Sequence, residues 1–204
     1  MKCRLILASG SPRRSALLAE LGLSFEVRPA GVDESLTDHG PAQHQVERLA
    51  RLKAEACEAA PADAVLAADT LVVLDGRALG KPIDDDDARA TLRLLRSREH
   101  DVVTGVALRW GSERLQTSVR TSVEMRDYGD HEITAFVVTG AARDKAGSYA
   151  IQNEGFHPVK RFTGCYCNVV GLPLGAVRRL LTAALPEGPA VPRPNRCHDC
   201  PDWD

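Results

Sequence analysis

No apolar run in this 204-residue chain approaches the 18 or so residues a membrane-spanning helix needs, so none is expected. Neither sign of charge dominates. A formal net charge of −2 argues against a general nucleic-acid binder, whose affinity rests on a strongly basic surface. The six cysteines, at 3, 57, 165, 167, 197 and 200, lack the density of a small disulfide scaffold. The first four read as free, mostly buried thiols. There is no internal repeat. Neither a P-loop, GxGxxG, HExxH nor a nucleophile elbow occurs, so nothing supports a covalent serine or cysteine mechanism. The apolar stretch after Met1-Lys2-Cys3-Arg4 is too short for a secretory leader, and a cytoplasmic protein is expected.

What remains is ordinary globular composition, 44% apolar and 26% charged, enough for one sizeable core or two small lobes. The informative stretch is Leu66-Ala67-Ala68-Asp69-Thr70-Leu71-Val72-Val73-Leu74, a buried strand interrupted by one carboxylate. A buried carboxylate either has partners or does a job, because an unpaired one is costly. Downstream, Lys81 stands between Gly80 and Pro82, in a loop whose backbone is shaped.

Other segments supply cations. Residues 5–8 read as a strand and Ser9-Gly10-Ser11 as a tight loop, with Ser11 as N-cap and Pro12 opening a helix that Gly22 ends. Arg13 and Arg14 then lie in the first turn, where arginine opposes the helix dipole and is unexplained by local stability. Two arginines beside unpaired N–H groups would hold an anion; two solvated surface arginines are the alternative. Residues 41–60 read as a helix with Val46, Leu49, Ala50, Lys53, Ala54 and Cys57 on one stripe. Lys53 either snorkels along the apolar face or reaches into a cleft. Asp84-Asp85-Asp86-Asp87 resembles a metal site but reads as the first turn of a helix, where acids favour the dipole.

Residues 102–108 read as another buried strand, and 117–126 alternate strictly, as in a half-exposed antiparallel strand. A short helix is expected around Ile133, Phe136 and Val137, loop and cleft wall from Lys145, a strand over 166–170, and a last helix from Pro173. These elements predict an α/β fold with a mixed, twisted sheet flanked by helices, and two lobes around a cleft. One domain is expected over 1–185, with a proline-rich, flexible tail over 186–204. The single Cys197-x-x-Cys200 in that tail offers half a zinc site; no second half follows at a suitable spacing, and zinc is not expected. Cations at 13, 14, 81 and 53 with carboxylates at 69 and 34 suit phosphate-chain hydrolysis, which needs charge neutralisation and an oriented water.

Several short motifs also stand in a familiar order: Leu7-Ala8-Ser9-Gly10-Ser11-Pro12-Arg13-Arg14, Gly31-Val32-Asp33-Glu34, Arg48-Leu49-Ala50-Arg51-Leu52-Lys53-Ala54, Ala68-Asp69-Thr70 and Gly80-Lys81-Pro82. Thr104-Gly105-Val106, Asp144-Lys145-Ala146-Gly147-Ser148-Tyr149-Ala150-Ile151-Gln152 and Val170-Gly171-Leu172-Pro173 complete the series. From Leu5 to about Leu185 the chain resembles the Maf-like nucleoside triphosphate pyrophosphatases. That resemblance implies a cytoplasmic enzyme cleaving a nucleoside triphosphate to the monophosphate and pyrophosphate, with a divalent cation, Mg²⁺ or Mn²⁺. It implies Asp69 as general base, Ser9, Arg14, Lys53 and Lys81 on the phosphates, and Glu34 with Asp69 on the ion. It assigns base choice to Arg13, Thr70 and Gln152, which match the branch resembling dTTP/UTP pyrophosphatases; in the 7-methyl-GTP branch the first arginine is typically tryptophan. A glutamine amide offers donor and acceptor to a pyrimidine imide edge, in agreement.

Asn153 and Glu154 depart from the family, which usually has glycine after the glutamine; asparagine is expected to keep a left-handed turn there. Family members often form homodimers, though no stretch reads as a dimer seam. The competing reading is a nucleotide-binding regulator of cell division and septum formation with slow or incidental hydrolysis. A closer variant keeps the chemistry and directs it at modified pyrimidine nucleotides in a house-cleaning role.

Overall fold

A computed structural model describes residues 4–32, 40–185 and 190–203. In chain order the elements are β1 (Leu5–Leu7), α1 (Pro12–Ala19), β2 (Phe25–Val27), α2 (Ala42–Ala56), β3 (Ala64–Leu74), β4 (Arg77–Leu79) and α3 (Asp85–Leu95). Then follow β5 (Glu99–Trp110), β6 (Glu113–Met125), α4 (Asp130–Val138), β7 (Val159–Thr163), α5 (Tyr166–Val170) and α6 (Leu174–Ala184). Six strands form a path β2-β1-β3-β5-β6-β7, and β4 adds to β3. The β1–β2 and β1–β3 pairs are parallel and the others antiparallel, so the sheet is mixed, as expected.

The central strand positions the cleft. On one edge β3 is paired with β5 from Ala64 to Val73. On the other edge β1 covers Ala64 to Leu66 and β4 covers Val72 to Leu74. Among the described residues no strand pairs with 67–71 on that edge, and the sheet is split there beside Asp69 and Thr70.

Alternation along β3 sorts its side chains between two faces. Val65 and Ala67 pack with Ala50 and Ala54 of α2. Leu66 and Ala68 instead join Leu17 and Leu18 of α1 and Val177 of α6. Past the split, Val72 and Leu74 belong to a further apolar group with Leu92, Ile133 and Phe136 from α3 and α4. The first core, around Leu66 and Ala68, and the group beyond the split thus lie on either side of the place where the sheet opens.

The four aspartates begin α3 as expected: Asp84 is the N-cap and its carboxylate accepts from the Asp87 N–H at 2.8 Å. Ser11 occupies the N-cap of α1, but its side chain makes no capping bond; its own N–H donates to Ser9 Oγ at 3.2 Å. Three local expectations are corrected. Residues 166–170, read as a strand, form α5, because Asn168 donates to the Val102 carbonyl and Thr121 Oγ1, both at 2.9 Å, and Gly171 ends the turn at φ 119°. That tertiary anchor overrides the β preference of Val169 and Val170. Asn153 does not take the left-handed turn; His157 does, at φ 43°, and the Asn153 side chain instead accepts from the Phe156 N–H at 2.7 Å. The third correction concerns the expected flexible tail. In its described part, 190–203, Cys197, Cys200 and Trp203 are buried against α6 and the first core. These three side chains supply the apolar surface that the surrounding prolines and charges obscure.

Candidate active site

The loop after β1 carries Ser9 to the split in the sheet, and α1 starts there with both arginines. Helix α2 crosses the same place on the opposite face. It can sit close because β5 has Gly105 directly across from Asp69; a Cβ at that position would overlap the Val46 carbonyl and lie 2.7 Å from Glu47 N. Two turns beyond Val46, Lys53 meets the strand, and its Nζ donates to Asp69 Oδ1 at 2.6 Å. Both are nearly sequestered, at 7% exposure each. The lysine therefore reaches the cleft, one of the two alternatives its place on the apolar stripe allowed.

Thr70 faces the other way. Its hydroxyl lies 2.9 Å from Thr104 Oγ1 and accepts from Arg14 Nη2 at 3.1 Å. Arg14 also donates to the Gly171 carbonyl at 2.8 Å and to Ser9 Oγ at 3.4 Å. These acceptors explain an arginine in the first turn of a helix: it is fixed across the cleft floor by tertiary partners rather than by its own helix. Arg13 Nη1 contacts Asp144 Oδ2 at 2.5 Å, and Lys145 pairs with the same carboxylate. Burial works against ionisation of Asp144, but the hydrogen bonds from Lys145 and Arg13 prevail and hold its carboxyl below the usual range.

Ser9, Arg13, Arg14, Lys53, Asp69 and Thr70 line one cavity of about 610 Å³ together with Lys81 and Gln152. A ligand of nucleotide size suits that volume. Glu34, expected as an ion ligand, lies outside the described residues. Two residues given no role from the sequence stand on the same wall, Asp144 and Lys145. Adjacent opposite charges opening the 144–152 motif were the available signal.

Behind that wall is a histidine with a measurable consequence. His100 is buried, its Nε2 2.8 Å from the Tyr149 hydroxyl, and burial lowers its pKa from 6.5 to about 4. The folded protein keeps the ring neutral while the unfolded chain takes a proton below pH 6.5. Stability is therefore whole above about 6.5 and is lost as pH falls toward 4, by up to about 3 kcal/mol from this group. Urea unfolding between pH 7 and 4.5 is expected to show that slope, and His100→Gln to flatten it.

A model described as Maf-like protein matches residues 4–184. A dTTP/UTP pyrophosphatase from Thermomicrobium roseum is 49% identical over 202 residues, covering 97% of this chain and 93% of that protein. One from Anaeromyxobacter dehalogenans (strain 2CP-1) is 48% identical over 188 residues, covering 90% and 95%. Among solved structures, a HAM1 protein from Coxiella burnetii aligns with 92% of this chain and 100% of its own at 17% identity and a TM-score of 0.47. With a family model and relatives of this identity spanning nearly its whole length, the chain belongs to the Maf-like protein family.

Proposed function

We propose that the protein hydrolyses dTTP and UTP to the monophosphate and pyrophosphate. One observation carries this reading: a buried carboxylate, Asp69, shares a cavity with Arg13, Arg14, Lys53 and Lys81. The cations suit a triphosphate, and the carboxylate suits the activation of water. Relatives sharing nearly half of the residues over nine-tenths of the chain carry the name dTTP/UTP pyrophosphatase, which supports the same substrates here.

In this mechanism Arg14 and Ser9 receive phosphate oxygens on the cleft floor, and Lys81 reaches them from the loop after β4. Lys53 keeps one Asp69 oxygen engaged and orients the carboxylate, leaving the second oxygen to take a proton from water. That water attacks the α-phosphorus; its oxygen joins the nucleoside monophosphate and pyrophosphate leaves. A divalent cation fits this donor set, because Mg²⁺ is commonly held by one or two carboxylates together with substrate phosphates. Asp69 and Glu34 are the residues proposed to hold Mg²⁺ or Mn²⁺, which when bound neutralises charge on the phosphate chain. The test is pyrophosphate release from a panel of nucleoside triphosphates with each ion; no release from any nucleotide, despite binding, sinks the reading.

Gln152 opens onto the cleft and is proposed to read the base, with Arg13 and Thr70 shaping the same choice. Its amide pairs with the imide of thymine or uracil as both donor and acceptor. Gln152→Ala is expected to reduce the preference for dTTP over dCTP by about tenfold, the worth of roughly one hydrogen bond, in competition assays of kcat/KM. An unchanged preference removes Gln152 from base recognition.

A further inference from the structure

We propose that Cys165, Cys167, Cys197 and Cys200 form a structural zinc site that clips residues 190–203 onto the fold. The sequence hid the arrangement, since the partner of Cys197-x-x-Cys200 is not a second C-x-x-C downstream but the pair Cys165-x-Cys167 at the start of α5. Folding brings the two pairs together. The sulphurs of Cys167 and Cys197 are 3.6 Å apart. Cys165 stands beside Cys200, the other cysteine of the tail pair. Its sulphur, that of Cys200 and a carboxylate oxygen of Asp202 all fall within 4.8 Å of one another. Each cysteine of the tail pair thus meets one of the α5 pair, Cys197 with Cys167 and Cys200 with Cys165.

The Cys167–Cys197 separation suits the metal. Tetrahedral zinc with Zn–S bonds of about 2.3 Å places neighbouring sulphurs about 3.8 Å apart. All four thiols are buried, none more than 7% exposed, and none lines the nucleotide cleft. A closed tetrathiolate site of that kind is structural rather than catalytic. Its supports are rigid: Cys165 N–H donates to Thr121 Oγ1 at 3.1 Å, and Arg193 Nε donates to the Cys197 carbonyl at 2.9 Å. Binding converts four thiols to thiolates, and each proton released passes to solvent. Among the described residues the remaining cysteine, Cys57, lies elsewhere, beside the Arg28 carbonyl.

An ordinary cluster of core thiols would show the same burial but would not take up metal. The full chain, purified without chelator and dialysed, is expected to retain about one zinc per molecule by elemental analysis. Replacement by cobalt(II) is expected to give intense sulphur-to-metal charge-transfer absorption with tetrahedral visible bands, a signature that a carboxylate ion site in the cleft lacks. Cys197→Ser with Cys200→Ser should lose both signals, while Cys57→Ser and Asp202→Asn keep them. Should the double variant fail to fold, the cobalt spectrum of the unaltered chain decides alone. Metal-free protein that takes up no zinc under reducing conditions, with every thiol titrating after unfolding, overturns the proposal. So does a cobalt spectrum without sulphur charge transfer.

Discussion

Asp69→Asn is expected to lower turnover of dTTP by two to four orders of magnitude, roughly the range that one positioned general base contributes. The amide keeps the shape of the side chain and still offers Lys53 a carbonyl oxygen, so the pair that seats the lysine survives in weaker form. What disappears is an acceptor for the proton of water. Nucleotide affinity should therefore change far less than kcat, because Arg13, Arg14 and Lys81 remain in the cavity. Pyrophosphate release and equilibrium binding, measured on the same preparation, separate these effects. Turnover within a factor of about ten of the unaltered enzyme would exclude Asp69 as the base. Tight binding without turnover in both proteins would instead favour a nucleotide-sensing role.

Gly105→Ala is expected to destabilise the protein by about 3 kcal/mol, at the upper end of what overpacking usually costs. The added methyl has no flexible side chain to push aside; it meets the backbone of α2 at Val46 and Glu47. Relief requires the helix to lift from the sheet, and Lys53 rides on that helix. The variant should then lose activity even at temperatures where it stays folded, because the Lys53–Asp69 contact opens. Gly31→Ala provides the comparison, since among the described residues a Cβ there meets nothing within 4 Å. A shift in urea midpoint for Gly105→Ala no larger than for Gly31→Ala would show that α2 yields easily.

Much of this arrangement was legible in the chain. The buried strand with one carboxylate, the strict alternation before Met125 and the helical stripe carrying Lys53 each reported the environment they occupy. Proximity between those elements came only through the family resemblance, because periodicity reveals which face is buried and not what it is buried against. Where local preference and tertiary bonding disagree, the sequence misled: Val169 and Val170 look like strand but follow Asn168 into α5. Strands β4 and β7 were missed for another reason. Each is short, and β7 is largely exposed, so neither carries an apolar pattern. The four-cysteine cluster was beyond reach, since its two halves are separated by α6 and assembled only by the fold.

The burial of Trp203 bears on the order in which this chain can mature. Leu7 and Leu18, made early, share one core with Cys197, Cys200 and Trp203, made long afterwards. A Cβ on Gly175 would overlap the Asp202 carbonyl and lie 2.8 Å from the Cα of Trp203, so the late segment lies directly on α6. During synthesis the first core therefore stays open on that side until residue 203 has left the ribosome. A nascent chain stalled before that point would expose apolar surface of α1 and α6, the kind of species that chaperones retain.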